Sequence, residues 1–160
     1  MAIYLDFDGI KGNVTAEGYV DMIQLDHFAF GIHRGITMDA GNMTNREATR
    51  PALSEVTVSK AMDCSCTNLF KAGVAGVEGK TATIRVVRTG AAGNDEFLSY
   101  ELENCMVSSY SISGDAENEP QEQISLSYTK IIAQYKDSDA THGKQKQTVA
   151  GFDLVKCASV

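Results

Sequence analysis

Apolar residues recur at every second position over much of this chain, the spacing that half-buries a β-strand. Ile3, Leu5 and Phe7 fall on one face of a first strand, with Tyr4, Asp6 and Asp8 on the other, and Gly9, Gly12 and Asn13 then mark a turn. A longer strand is predicted from Tyr19 to His33, where Asp26, Phe28, Phe30 and Ile32 oppose Leu25, His27, Ala29 and Gly31. Both of its faces carry apolar weight, as in a strand covered on both sides. Further strands are predicted over Leu53–Ala61, Thr81–Thr89, Phe97–Ser113, Glu122–Lys136 and Gln147–Lys156. The polar run from Gly90 to Asp95 joins two of them as a hairpin.

Two stretches depart from the alternation. Over residues 35–52 it disappears, leaving a loop of about 18 residues, longer than compact domains usually hold without a function for it. This loop is neither strongly charged nor rich in Gly and Ser, so it reads as an extended arm whose contacts lie outside its own domain. The spacing predicts one short helix over 66–77, with Asp63, Ser65 or Thr67 as its cap and Leu69, Phe70, Val74 and Val77 as its apolar stripe. Gly73 and Gly76 weaken it, so packing must hold it, with Leu69 and Phe70 expected to be buried. About seven strand segments and one helix make a mainly β, antiparallel fold, a barrel or a sandwich with the helix at one end.

A length of 160 residues suits a single domain, 1–160, and an apolar share of 43 % can fill its core. Fourteen basic against 21 acidic residues give a net charge of −7, which would repel a phosphate backbone, so no nucleic-acid partner is expected. No apolar run approaches the ~18 residues of a membrane span. The first residues lack the basic and apolar regions of a secretory signal, so the chain is expected to fold in the cytoplasm, and if it leaves the cell something other than a cleaved signal takes it out. Cys64, Cys66, Cys105 and Cys157 are too few and too irregularly spaced for a disulfide scaffold.

Little in the chain carries chemistry. Cys64-Ser65-Cys66 offers two thiolates, but a structural zinc site takes four ligands and no second pair is present. His27 and His33 would stand about 20 Å apart on one strand, too far for one ion, and read as surface or interface residues. His142 falls in a polar, solvated loop. Asp115, Glu117, Glu119 and Glu122 surround Pro120 without the calcium-loop spacing and read as a solvated turn. No catalytic residues, metal or cofactor are expected.

The run Ser108-Ser109-Tyr110-Ser111-Ile112-Ser113-Gly114-Asp115, then Pro120-Gln121-Glu122 and Ile124 to Ile131, resembles the signature of the haemolysin-coregulated protein (Hcp) family. Ile10-Lys11-Gly12, Phe28-Ala29-Phe30-Gly31, Pro51 to Lys60 and Leu69-Phe70-Lys71-Ala72 agree with it in order. Where that family often has tryptophans in the second strand, this chain has Phe28 and Phe30, and the segment after Asp137 matches least.

The resemblance implies an Hcp-like barrel, similar in fold to phage tail tube proteins, that assembles into homohexameric rings. Rings stack into the inner tube of a type VI secretion system, whose sheath and spike proteins are then partners. The tube would be expelled to the extracellular space or a target cell, with small effectors carried in its lumen. On that reading Thr44, Asn45, Arg46, Glu47, Thr49 and Arg50 make neighbour or ring-stacking contacts, while His27, Ala29 and Gly31 face the lumen or a neighbour. Phe28 and Phe30 would point into the barrel. Two other classes remain open: a monomeric β-sandwich that closes the long loop over a ligand, and a cysteine or metal hydrolase built on Cys64 or Cys66.

Overall fold

The computed structural model describes residues 1–38, 40–41, 46–90, 93–137 and 146–160, with the side chains of 38, 46 and 47 excepted. Its strands, in chain order, are β1 (Ala2–Phe7), β2 (Ile23–Leu25), β3 (His27–Ala29), β4 (Ile32–His33), β5 (Ile36–Met38), β6 (Arg46–Ala48), β7 (Ala52–Leu53) and β8 (Val56–Ala61). Helix α1 (Cys66–Ala75) follows, then β9 (Lys80–Gly90), β10 (Gly93–Ser113), β11 (Gln121–Ser127), β12 (Lys130–Asp137), β13 (Lys146–Asp153) and β14 (Ala158–Ser159). The fold is mainly β with one short helix, and every pairing is antiparallel.

The 21-residue β10 organises the molecule. Along its first half β9 lies on one edge and β12 on the other, since both pair with Leu98 to Leu102. Its second half, from Met106 to Ser113, pairs with β11 across an irregularity between Val107 and Ser109. One wall therefore runs β2-β1-β9-β10-β12-β13-β14, and the other runs β10-β11-β8-β3. The walls share β10 on one side and are linked through Asp26 on the other, where β2 passes directly into β3. The described pairings leave β2, β3 and β14 as edges and do not form a closed ring of strands.

That corner corrects the expected single strand over Tyr19–His33. Tyr19 lies in a turn, its amide bonded to the Ala16 carbonyl, and the rest divides among β2, β3 and β4. Asp26 is bent between two partners: Leu25 pairs with Ile3 of β1, while His27 pairs with Ser59 of β8. The alternation persists through a change of sheet, so period two alone does not reveal it. The predicted Glu122–Lys136 strand is likewise interrupted at Tyr128 and Thr129, where β11 leaves for β8 and β12 stays with β10.

Leu5, Ile23, Val56, Val58, Leu69, Ile84, Leu102, Ile124 and Leu126 form one continuous core between the walls. A second, smaller cluster lies on the outer side of β1, where Tyr4 stacks on Tyr19 with ring centroids 5.0 Å apart beside Val14 and Val87. Next to the core, Asn104 adopts φ 52 in the irregular stretch of β10 that faces Gly79. A Cβ at Gly79 would lie 1.7 Å from Asn104 Oδ1, so only glycine fits that approach.

Helix α1 ends at Ala75, not at 77, because Gly76 takes an extended conformation with its N–H on the Ala72 carbonyl. Leu69 is its buried residue. Phe70, expected to be buried, is 58 % exposed and only edges against Tyr110, while Val74 and Val77 are open to solvent. Ser65 occupies the cap position, but its side chain does not cap the helix; it bonds back to Asp63 instead.

Candidate functional site

No cluster of three or more His, Cys, Asp or Glu side chains able to hold a metal is found among the described residues. All four cysteines are free; Cys64 and Cys157 are exposed, while burial pushes the Cys105 thiol up to about 12, leaving it an inert core residue. Two other features stand out among the described residues, a hairpin apart from the main sheet and a sheet face of mostly small, uncharged residues.

The described residues of the stretch 35–52, expected to be without pattern, belong to paired strands. Ile32 and His33 pair with Leu53 and Ala52, and Ile36, Thr37 and Met38 pair with Ala48, Glu47 and Arg46. Between these two-stranded ladders the Gly35 amide donates to Thr49 Oγ1 at 2.9 Å and the Thr49 amide to the Gly35 carbonyl at 2.9 Å. At the base, the Gly31 amide donates to Ser54 Oγ at 2.8 Å, and Tyr128 donates its hydroxyl to the Ser54 carbonyl at 2.9 Å. Each ladder lies apart from the main sheet among the described residues, so the arm runs up to about 20 Å beyond Gly31 at ~3.3 Å per residue.

The arm does not cover its own apolar groups: Ile32 is 65 % exposed and Ile36 is 50 % exposed. They lie on its two successive short strands, β4 and β5. Of the sequence-predicted arm residues, Thr49 and Arg50 are exposed, Arg46 and Glu47 contribute backbone pairing in β6, and Thr44 and Asn45 lie outside the described residues, as does His142.

His27 and Ala29 sit on β3, exposed, with Phe28 between them facing the other way. Phe28 and Phe30 are half-buried against Tyr100, at 5.7 and 5.1 Å between ring centroids. Gly31 is exposed at the base of the arm, with open space where a Cβ would be.

The register extends the small-residue face across the whole second wall. His27, Ser59, Gln123 and Ser111 form one row of cross-strand partners. Ala29, Thr57, Ser125 and Ser109 form the next, and Ala61, Gln121 and Ser113 a third. None of these eleven positions is Asp, Glu, Lys or Arg. Sequence reasoning found only its β3 edge. The signal for the rest was available as alternating Ser, Thr and Gln in three segments, but pairing had to bring them together.

The inward face of the same strands bears the charge that the outward face lacks. Lys60 and Glu122, cross-strand partners, are both fully buried and ion-paired to each other. Lys60 Nζ also reaches Asp63 Oδ1 at 2.8 Å, and the Tyr110 hydroxyl donates to Glu122 Oε1 at 2.5 Å. Burial alone would raise the Asp63 carboxyl, but hydrogen bonds from Lys60 and Ser65 hold it below the usual carboxylate range. Burial, then the bond to Glu122, push the Tyr110 phenol well up, so it stays protonated as a donor. Glu122 therefore does not belong to the solvated acidic turn in which the sequence placed it. Asp115 does: it accepts from the amides of Glu117 and Asn118, both at 2.8 Å.

A groove of about 540 Å³ lies between α1 and the turn after β1, lined by Ile10, Asn68, Ala72, Ala75, Met106 and Val107 among others. No described residue of the arm is among those that line it.

The family model for the type VI secretion system effector Hcp matches residues 4–135. The chain belongs to the Hcp family. A solved type six secretion system protein superposes with a TM-score of 0.90 at 24 % identity, covering 99 % of both chains. Hcp1 from Salmonella typhimurium gives 0.77 at 24 % identity over 99 % of this chain and 98 % of that one. A type VI secretion system effector from Yersinia pestis gives 0.73 at 18 % identity over 94 % and 98 %. These likenesses establish an Hcp-like fold. No curated protein sequence matches the chain. No helix among the described residues is long and apolar enough to cross a membrane.

Proposed function

We propose that this chain is the structural subunit of a type VI inner tube: a homohexameric ring that stacks on further rings, with small effectors carried inside. The observation that carries the reading is the arm. A hairpin that leaves Ile32 and Ile36 uncovered by its own subunit gains hydrophobic stabilisation only when a second copy covers them. Head-to-tail contacts of this heterologous kind close into a ring when the rotation allows, and stacking then extends the ring to a tube.

In this arrangement Thr44, Asn45, Arg46, Glu47, Thr49 and Arg50 meet a neighbour, while His27, Ala29 and Gly31 line the lumen with the rest of the uncharged face. The two walls, linked through Asp26, curl together as a barrel-like unit whose free β3 edge is available to an adjacent subunit. The tube works with sheath and spike proteins and leaves the cell on sheath contraction. Its role is mechanical and protective, not enzymatic.

Light scattering coupled to size-exclusion chromatography tests the reading. Six copies of a 17.2 kDa chain should elute at about 103 kDa, with a central hole in end-on electron micrographs. Arg46→Glu should weaken assembly. A clean 17.2 kDa monomer at high concentration would overturn the proposal in favour of a monomeric module.

A further inference from the structure

Helix α1 is held more firmly at its entrance than along its length. Of its ten residues only Leu69 is buried, Cys66 and Ala72 are half-buried, and the other seven are exposed. Ten residues are too few for a stable isolated helix, and this one has no side-chain cap, no acid in its first turn and no base in its last. Gly73 weakens it further without a steric reason, since a Cβ there would sit 3.5 Å from Tyr110 Cβ and Val107 Cγ1, an ordinary contact. The segment that carries α1 has fixed ends in Met62, its amide bonded to the Pro120 carbonyl, and Lys80, paired with Cys105.

The firm point is Asp63, three residues before the helix. Its side chain is 7 % exposed, and its carboxylate accepts from Lys60 Nζ at 2.8 Å, from the Ser65 amide at 2.9 Å and from the Ser65 hydroxyl. The titratable groups that meet there come from each element around it: Lys60 on β8, Tyr110 on β10, Glu122 on β11 and Cys66 at the start of α1. One ammonium serves two carboxylates, so the buried cluster holds one more negative charge than positive. Lys60, Glu122 and Tyr110 belong to the sheet, whereas Asp63 belongs to the leader of α1. A proton on Asp63 weakens its bond to Lys60 and leaves Lys60 and Glu122 as a balanced pair with the Tyr110 hydroxyl still donating. The helix loses its hold while the sheet strands no charge.

We propose that Asp63 is an acid-sensitive latch on α1, and that its protonation lets residues 63–79 lift from β10 as a unit while the two walls stay folded. The latch lies within one subunit and does not rest on the tube reading. Lifting uncovers Cys105, which is wholly buried and lines the same groove as Ala72, Ala75 and Gly76. The folded Asp63 carboxyl lies below its ordinary range and the released one returns to about 4. Opening is therefore flat above about pH 5 and grows as pH falls through those two values.

The test uses the full chain carrying Cys64→Ser, Cys66→Ser and Cys157→Ser, which leaves Cys105 as its one thiol. Reaction with a dithiodipyridine, which works in acid, is followed from pH 7 to pH 3. Each rate is divided by that of the urea-unfolded chain at the same pH, which removes the thiol's own titration. The ratio should be constant down to about pH 5 and about threefold or more higher at pH 3. Asp63→Asn, equal in shape but uncharged, should react about tenfold faster than its parent at pH 7 and lose the acid rise. Gly73→Ala should slow the reaction about fivefold. Hydrogen exchange read by mass spectrometry on the unsubstituted chain should show the same acid rise over 66–75 with β9, β10 and β12 unchanged, which covers the case of a variant that fails to fold.

A ratio flat to pH 3, an Asp63→Asn variant that keeps its parent's acid rise, or a Gly73→Ala variant that reacts as fast as its parent would each overturn the proposal. Acid exchange that rises in β9, β10 and β12 together with α1 would overturn it too, because the chain would then be unfolding as a whole.

Discussion

The two faces of the wall formed by β3, β8, β11 and the second half of β10 allocate charge in the reverse of the usual order. Outward, three rows of cross-strand partners are neutral and mostly small. Inward, Val56, Val58, Ile124 and Leu126 share the strand faces with a fully buried Lys60 and Glu122. Strand alternation places each residue on one face or the other, so both features come from the same period. They differ in what each residue can exchange water for. Lys60 finds Glu122 and Asp63, and Glu122 also finds the Tyr110 hydroxyl, so neither charge is left unpaired. On the outer side a charge keeps its water, as the exposed Glu55 carboxylate does where it accepts from the Ser108 hydroxyl at 2.8 Å.

Breaking the inner pair should have the largest effect. Glu122→Ala leaves Lys60 buried with only Asp63, and should cost about 3–5 kcal/mol, read as a lower midpoint in urea unfolding. Replacing both at once, Lys60→Met with Glu122→Leu, should recover only part of that loss, since the pair's desolvation is removed but Asp63 loses its cation and the Tyr110 hydroxyl its acceptor. A double variant as unstable as the single would mean that the network does more than satisfy itself.

Leu69→Ala comes next, at about 2–5 kcal/mol, because Leu69 is the buried side chain that seats α1 on β10. Phe70→Ala at the following position should cost about 1 kcal/mol or less, its ring being largely solvated.

Acid sharpens the inner face further. The folded Asp63 carboxyl lies below its ordinary value, so its stabilisation is fully present above the unfolded pKa of about 4 and is lost as pH falls through the lower folded value. Unfolding midpoints measured from pH 6 to pH 2.5 should fall at the acid end, and Asp63→Asn should flatten that fall.

The outer face should be the least sensitive. Ser111→Ala should change stability by no more than about 0.5 kcal/mol, because Ser111 is exposed. A loss as large as that of Leu69→Ala would show that the outer face belongs to the fold and would remove it as a free surface.

The strands, the one helix and the family were legible because each rests on local order: period two, a capped apolar run, and motifs short enough to survive in sequence. Even the small-residue edge at His27 and Ala29 could be read that way. The sheet change at Asp26, the hairpin inside residues 32–53 and the row His27-Ser59-Gln123-Ser111 could not, since each depends on which distant strand supplies hydrogen-bond partners. The same reason explains the two misplaced side chains. Glu122 sits two residues after a solvated turn and Phe70 sits beside Leu69, so neighbours in sequence suggested the wrong surroundings. Burial is set by what packs from elsewhere in the chain: β8 brings Lys60 to Glu122, while β10 covers Leu69 and leaves most of Phe70 to solvent.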